Sequence, residues 1–126
     1  MGKIQDFYQL DTWKEGHKLA LLIYKKTKEF PKEEKYGLIS QLQRASSSIT
    51  ANIAEGFGRY HYPEKIRFYR LSRGSLKEVQ NFVLLARDLE YLPASTAKEI
   101  WQLSKNCEKL INGLIRSTEG QKRVGD

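Results

Sequence analysis

Apolar residues recur every three or four positions through four long segments, and no segment shows the sustained alternation that is typical of a strand. Segments marked by Pro, Gly or Ser separate them at residues 30–31, 56–63 and 92–95. The pattern predicts four helices, at about residues 12–29, 33–57, 63–91 and 96–118. Because the joints are short, consecutive helices are expected to run antiparallel. The predicted fold is all-α, an up-down-up-down antiparallel four-helix bundle that forms one domain over residues 1–126.

The starts of two predicted helices carry capping signals. Thr12 with Glu15, and Thr96 with Glu99, have the spacing of a capping box. This spacing predicts that the first and fourth helices begin at the two threonines. The residues before 12 and after 118 are expected to be loose ends, the latter with a short basic tail at residues 122–123.

The apolar residues of the third helix are expected to face the core along a single line. This line consists of Phe68, Leu71, Ser75, Val79, Phe82, Ala86 and Leu89. The fourth helix has Cys107 on its apolar stripe, where cysteine behaves as a small hydrophobic residue. We therefore predict that Cys107 is buried.

A polar line runs beside the apolar stripe of the second helix, at spacings of three and four residues. Its members are Gln41, Arg44, Ser48, Asn52 and Glu55, followed by Arg59. One interpretation is a solvent-exposed helix face. Asn52, however, lies close to the apolar arc, where a buried amide needs hydrogen-bond partners. The second interpretation is that the first five residues are structural polar anchors, which bond to a neighbouring helix or to another subunit.

The charge of the chain is concentrated in one segment. The net charge is +7 with a sequence pI near 9.5, and residues 59–78 contain six basic residues against two acidic ones. The six are Arg59, Lys65, Arg67, Arg70, Arg73 and Lys77. Basic groups neutralise phosphates and release counterions, and aromatic rings such as Tyr60 and Tyr62 can stack on unpaired bases. The six residues are candidate nucleic-acid-binding groups; the alternative is an ordinary solvated helix face.

The composition also narrows the function classes. No apolar stretch approaches the roughly 18–20 residues that span a bilayer, and the start does not have a signal-peptide pattern. We expect a soluble, cytoplasmic protein without a membrane partner. One cysteine and two distant histidines exclude an internal disulfide and the usual zinc clusters. The sequence contains no evident nucleophile–base pair and no carboxylate cluster, so we predict no catalytic residue, metal site or cofactor.

Several motifs carry a family resemblance that extends from about residue 7 to residue 114. They are Phe30-Pro31, Tyr36-Gly37-Leu38, Asn52-Ile53-Ala54-Glu55-Gly56, Gly58-Arg59 and Gly74-Ser75-Leu76. The chain resembles the four-helix-bundle proteins first described from open reading frames inside intervening sequences of 23S ribosomal RNA genes. That family includes the accessory variability proteins of diversity-generating retroelements.

The resemblance implies a homo-oligomer, a pentamer in the better understood members, with a basic surface that binds nucleic acid. It also implies an association of the retroelement members with a reverse transcriptase. Three hypotheses follow for this chain. The first is a non-catalytic, homo-oligomeric protein that binds RNA or DNA without strong sequence specificity. The second is an interaction scaffold that docks on a reverse transcriptase or another partner through Tyr60, Tyr62 and Tyr69. The third is an RNA-processing enzyme, for which the sequence offers no site.

Overall fold

The computed structural model describes residues 2–126 and contains four α-helices. They are α1 (Asp11–Thr27), α2 (Leu38–Phe57), α3 (Tyr62–Asp88) and α4 (Ala94–Thr118), with short 3-10 helices at Phe7–Gln9 and Lys32–Glu34. Helices α1 and α3 each pack against both α2 and α4, so the four helices surround one core. The predicted all-α four-helix bundle is confirmed.

The core consists of aliphatic side chains from all four helices. The fully buried ones include Leu19, Ile23, Leu42, Ile49, Ile53, Leu76, Val79, Ile100, Cys107 and Ile111. Helices of this length bury their apolar stripe only against neighbours, and most of their stability comes from that packing. The predicted burial of Cys107 is confirmed.

The predicted core line of α3 is wrong at two positions, because Leu71 and Leu89 are exposed. Helix α3 packs between α2 and α4, and its buried arc is rotated toward Tyr69 and Val83. The buried arc also accommodates polar residues such as Ser72, whose hydroxyl donates a hydrogen bond of 2.7 Å to the carbonyl of Ile49 on α2. The displaced leucines are left on the outer surface.

The two predicted capping boxes do not form. Helix α1 begins at Asp11, and Thr12 is a buried residue whose hydroxyl donates to the carbonyl of Leu110 on α4 rather than capping. Helix α4 begins at Ala94, directly after Pro93, and Thr96 lies within its first turn. Both helices begin within one or two residues of the predicted positions, but neither threonine forms the predicted capping box.

Helix α2 begins at Leu38 rather than residue 33, because the chain first forms the separate 3-10 turn at Lys32–Glu34. The carboxylate of Glu34 then accepts a hydrogen bond of 3.0 Å from the backbone N–H of Leu38. It also accepts a hydrogen bond from the hydroxyl of Tyr91, which raises the pKa of Tyr91. One carboxylate thus caps α2 and connects it to the α3–α4 loop.

Helix α3 ends at Asp88 instead of residue 91. Glu90 follows in the left-handed region with φ of 65°, and Tyr91 N–H donates to the carbonyl of Ala86. This pair of features is a Schellman motif, which closes a helix by satisfying its last carbonyls.

The residues after α4 are not a loose end. Residues 119–126, hereafter the tail, return to the start of α3, where Asp126 contacts His61 and Tyr62. This contact corrects the expectation drawn from composition. The tail lies at the end of the bundle where α2 finishes and α3 begins.

Candidate nucleic-acid interface

The six basic residues predicted to bind nucleic acid lie in three different environments. Arg59 in the α2–α3 loop and Arg67 on α3 share the ring of Phe68. Lys65 contacts the end of α2, and the other three face α4 or the tail. They do not form one continuous patch. Their side chains are described below by environment.

Arg59 and Arg67 form a compact cluster around one aromatic ring. Their guanidinium carbons lie 4.7 Å and 4.5 Å from the centre of the Phe68 ring. Glu64 lies 3.2 Å from Arg67 and 3.9 Å from Arg59, and Glu55 lies 3.1 Å from Arg59. Two carboxylates therefore balance two guanidinium groups, and this cluster contributes little net charge.

Lys65 has a contact that explains its position. Its ammonium donates a hydrogen bond of 2.6 Å to the carbonyl of Phe57, at the last turn of α2. A cation near the C-terminus of a helix interacts favourably with the helix dipole and the unpaired carbonyls. Burial, followed by repulsion from Arg123, lowers the pKa of Lys65. Lys65 is thus engaged in joining α2 to α3.

The remaining three cations lie along the seam between α3 and α4. Arg73 donates to the side-chain oxygen of Asn112 at 2.9 Å, and Lys77 pairs with Glu108 at 2.9 Å. Arg70 is exposed and pairs with no acidic side chain of residues 2–126. One of the three is therefore neutralised by a carboxylate, and two are not.

Helix α4 and the tail add cations to this seam that the sequence did not single out. Lys105 pairs with Glu108, Arg116 follows Asn112 by one helical turn, and Lys122 borders the same surface depression as Arg70. We name the combined set the basic face. It consists of Arg70, Arg73, Lys77, Lys105, Arg116 and Lys122. Spacings of three and four residues between Lys105 and Arg116 indicate that these α4 residues share one helix face. The spacing does not indicate which neighbouring helix that face contacts.

Glu108 is the main anionic group within the basic face. The hydrogen bond from Lys77 lowers its pKa most, desolvation opposes this, and hydrogen bonds from Gln80 and Lys105 lower the pKa further, to about 2. Glu119 and Asp126 are the other acidic residues that border this seam within residues 2–126. Six cations against three carboxylates leave the basic face with a net positive charge.

Aromatic side chains lie at the tail end of the bundle. The guanidinium carbon of Arg123 lies 4.7 Å from the ring centres of both Tyr60 and Tyr62. Tyr60 is exposed, whereas Tyr69, which the scaffold hypothesis treated as exposed, is only 3% exposed. Burial raises the pKa of Tyr69 to about 12. Tyr69 packs on Gly56 and is unavailable for stacking on a ligand.

The predicted polar line lies along the groove between α2 and α3. Ser48 forms a hydrogen bond of 2.9 Å with Ser75, and the Asn52 amide donates to the carbonyl and hydroxyl of Ser48. Glu55 pairs with Arg59, while Gln41 and Arg44 line a groove of about 420 Å³ together with Ser48, Ser75 and Glu78. Ser48 is thus the member of the line that bonds directly to α3.

The structure also bears on metal binding and on membrane insertion. Within residues 2–126, no three His, Cys, Asp or Glu side chains come together as a metal site. No helix in the same range has the length and apolar character needed to cross a membrane.

Comparisons with known proteins agree with the fold. A crystal structure from Bacteroides thetaiotaomicron, of a protein with unknown function from the S23 ribosomal protein family, superposes with a TM-score of 0.75. It is 20% identical in sequence and covers 83% of this chain and 98% of its own, so it supports the fold alone. No curated protein matches the chain. The profile of the 23S rRNA-intervening sequence proteins matches residues 8–113. The chain therefore belongs to the 23S rRNA-intervening sequence protein family.

Proposed function

We propose that this protein is a non-catalytic, homo-oligomeric, cytoplasmic protein that binds the phosphate backbone of RNA or DNA without strong sequence specificity. The observation that carries the proposal is the basic face, where α3, α4 and the tail bring six cations together against three carboxylates.

The physical basis of such binding is electrostatic. Each cation that neutralises a phosphate releases a condensed counterion, and affinity then falls steeply with salt concentration. The helices of this bundle present no recognised base-reading motif, so contacts to phosphate would dominate. Repetition of the face in an oligomer would raise the avidity by about 100- to 10,000-fold.

The test is a salt series with a variant of the basic face. The triple variant Arg70→Gln, Arg73→Gln and Arg116→Gln removes three cations that pair with no carboxylate within residues 2–126. Filter binding of a single-stranded oligonucleotide should weaken, and the slope of log affinity against log salt should decrease by about 0.7 × 3, or roughly two units.

A control variant distinguishes an effect of the basic face from an effect of the total charge of the protein. Lys14, Lys25 and Lys28 are exposed on or beside α1, away from the α3–α4 seam, and changing all three to Gln removes the same charge. We expect this control to retain most of the wild-type slope. Equal effects of the two triple variants, or an unchanged slope in the basic-face variant, would refute binding through the basic face.

The self-association part of the proposal is supported by the α2–α3 surface. Leu71 and Leu85 on α3 are 47% and 46% exposed. Each lies seven positions, or about two helical turns, from Glu78, which lines the α2–α3 groove together with Arg44. Within residues 2–126 these two opposite charges have no ion-pair partner. Apolar side chains next to complementary charges are typical of an interface core and its rim. A second copy of this chain is therefore the occupant that we propose.

Sedimentation velocity tests this surface. We expect Leu71→Gln with Leu85→Gln to lower the oligomer mass, because both changes place polar groups in the proposed interface. The matched control is Leu21→Gln on α1, which is also exposed and lies on another side of the bundle. A wild-type monomer at all concentrations would refute self-association and favour the scaffold hypothesis, in which the chain docks on another protein such as a reverse transcriptase.

A further inference from the structure

The tail is held at the start of α3 by one carboxylate. Asp126 accepts hydrogen bonds from the imidazole Nδ1 of His61 at 2.6 Å, from the backbone N–H of Tyr62 at 3.2 Å and from that of Arg123 at 2.9 Å. Its side chain is only 3% exposed. Two of these donors, on His61 and Tyr62, lie outside the tail, so the carboxylate occupies a site that would offer two donors to another anion.

Arg123 holds the tail at a second point. Its guanidinium group lies against the rings of both Tyr60 and Tyr62, at 4.7 Å from each centre, and donates a hydrogen bond to the Tyr62 hydroxyl. Its Nε is buried without a hydrogen-bond partner among residues 2–126. An unsatisfied buried donor is unfavourable, and this offsets part of the gain from docking.

The side chains of Arg123 and Asp126 occupy positions that suit the two parts of a nucleotide, its base and its phosphate. A flat guanidinium rests on aromatic rings as an unpaired base would, and a carboxylate rests on the donors of His61 and Tyr62 as a phosphate would. Lys122 and Arg70 flank this position. The tail therefore covers the part of the surface where stacking groups and cations meet.

We propose that the tail is an internal competitor for single-stranded nucleic acid, which binds at Tyr60, His61 and Tyr62 only after the tail leaves. This inference rests on the proposed function and adds to it a stacking site and its regulation. A tail that is closed in about nine molecules out of ten lowers the apparent affinity about tenfold, because only the open fraction binds.

The first test compares two carboxylates of the tail. Asp126→Ala removes the anchor, whereas Glu119→Ala removes the same charge from a side chain that forms no ion pair within residues 2–126. Fluorescence anisotropy with a labelled oligothymidylate should show about tenfold tighter binding for Asp126→Ala than for Glu119→Ala. Equal affinities would overturn the inference.

The second test concerns the cation that holds the tail at its second point. If Arg123 competes with a base, Arg123→Gln should bind the oligothymidylate more tightly than the wild type, although it loses one positive charge. If Arg123 instead contacts the nucleic acid, Arg123→Gln will bind more weakly, and that result would overturn the inference.

A third measurement follows the tail directly in the wild-type protein. The Arg123 amide, which donates to Asp126, should become mobile in ¹⁵N relaxation when the oligothymidylate saturates the protein. A tail that stays ordered at saturation would overturn the inference and leave the proposed function intact. Absence of binding by the wild type and by every tail variant would instead refute the proposed function, and the inference with it.

Discussion

Gly56 provides the sharpest test of how α2 packs against α3. It is buried in the last turn of α2, and a methyl group at this position would lie 2.7 Å from Cε1 and 2.9 Å from Cδ1 of Tyr69. It would also lie 3.0 Å from the backbone carbonyl oxygen of Lys65. The ring is almost fully buried and the carbonyl belongs to α3, so neither can move aside without disturbing the packing.

Gly56→Ala should therefore destabilise the protein. Overpacking a core costs about 1–3 kcal/mol, and contacts this short place the change at the upper end of that range. The higher helix propensity of alanine offsets up to about 1 kcal/mol of this destabilisation, and less in the last turn of a helix. The net loss is about 2 kcal/mol, which corresponds to a decrease of roughly 8 °C in Tm for a domain of this size.

Urea and thermal unfolding, followed by circular dichroism, measure this loss. The matched control is Gly74→Ala in the middle of α3, where a methyl group would meet no atom within 4 Å. The same substitution should stabilise the protein there by about 0.5–1 kcal/mol through helix propensity alone. If Gly56→Ala were as stable as the wild type, the close approach of α2 to α3 described above would be wrong.

Three further predictions concern buried or paired side chains. Glu108→Gln should lower the unfolding free energy at pH 7 by about 1 kcal/mol after allowance for solvent screening, because the ion pair with Lys77 is lost. The pKa of Glu108 is lowered to about 2. In urea titrations at a series of pH values, the difference in unfolding free energy between the wild type and the variant should therefore be largest above pH 4.5 and disappear as the pH falls through about 2. Burial raises the pKa of Cys107 to about 12, so a thiol reagent at pH 8 should react with the unfolded chain and not with the native protein; rapid native labelling would contradict its burial. Ser72→Ala should cost about 1 kcal/mol in the same urea assay, since its hydroxyl bonds to the carbonyl of Ile49, and no loss would show that this bond is dispensable.

The candidate site was only partly predictable from the sequence. Charge counting found Arg70 and Arg73, because a local excess of basic residues is visible in the chain. It did not find that Lys65 joins α3 to the end of α2, or that Glu108 neutralises Lys77. These contacts join residues that are far apart in sequence or belong to different helices, and periodicity along one helix carries no information about them.

The sequence by itself determined the number of helices, their approximate lengths and their antiparallel order, because apolar spacing and short joints leave few other ways to bury four stripes. Only the tertiary structure decided which face of α3 is buried, and thereby that Leu71 is exposed and Tyr69 is not. It alone decided that residues 119–126 fold back onto His61 and Tyr62. The physical reason is that these features depend on how two neighbouring helices are rotated about their axes and on contacts across the bundle, which local propensity does not specify.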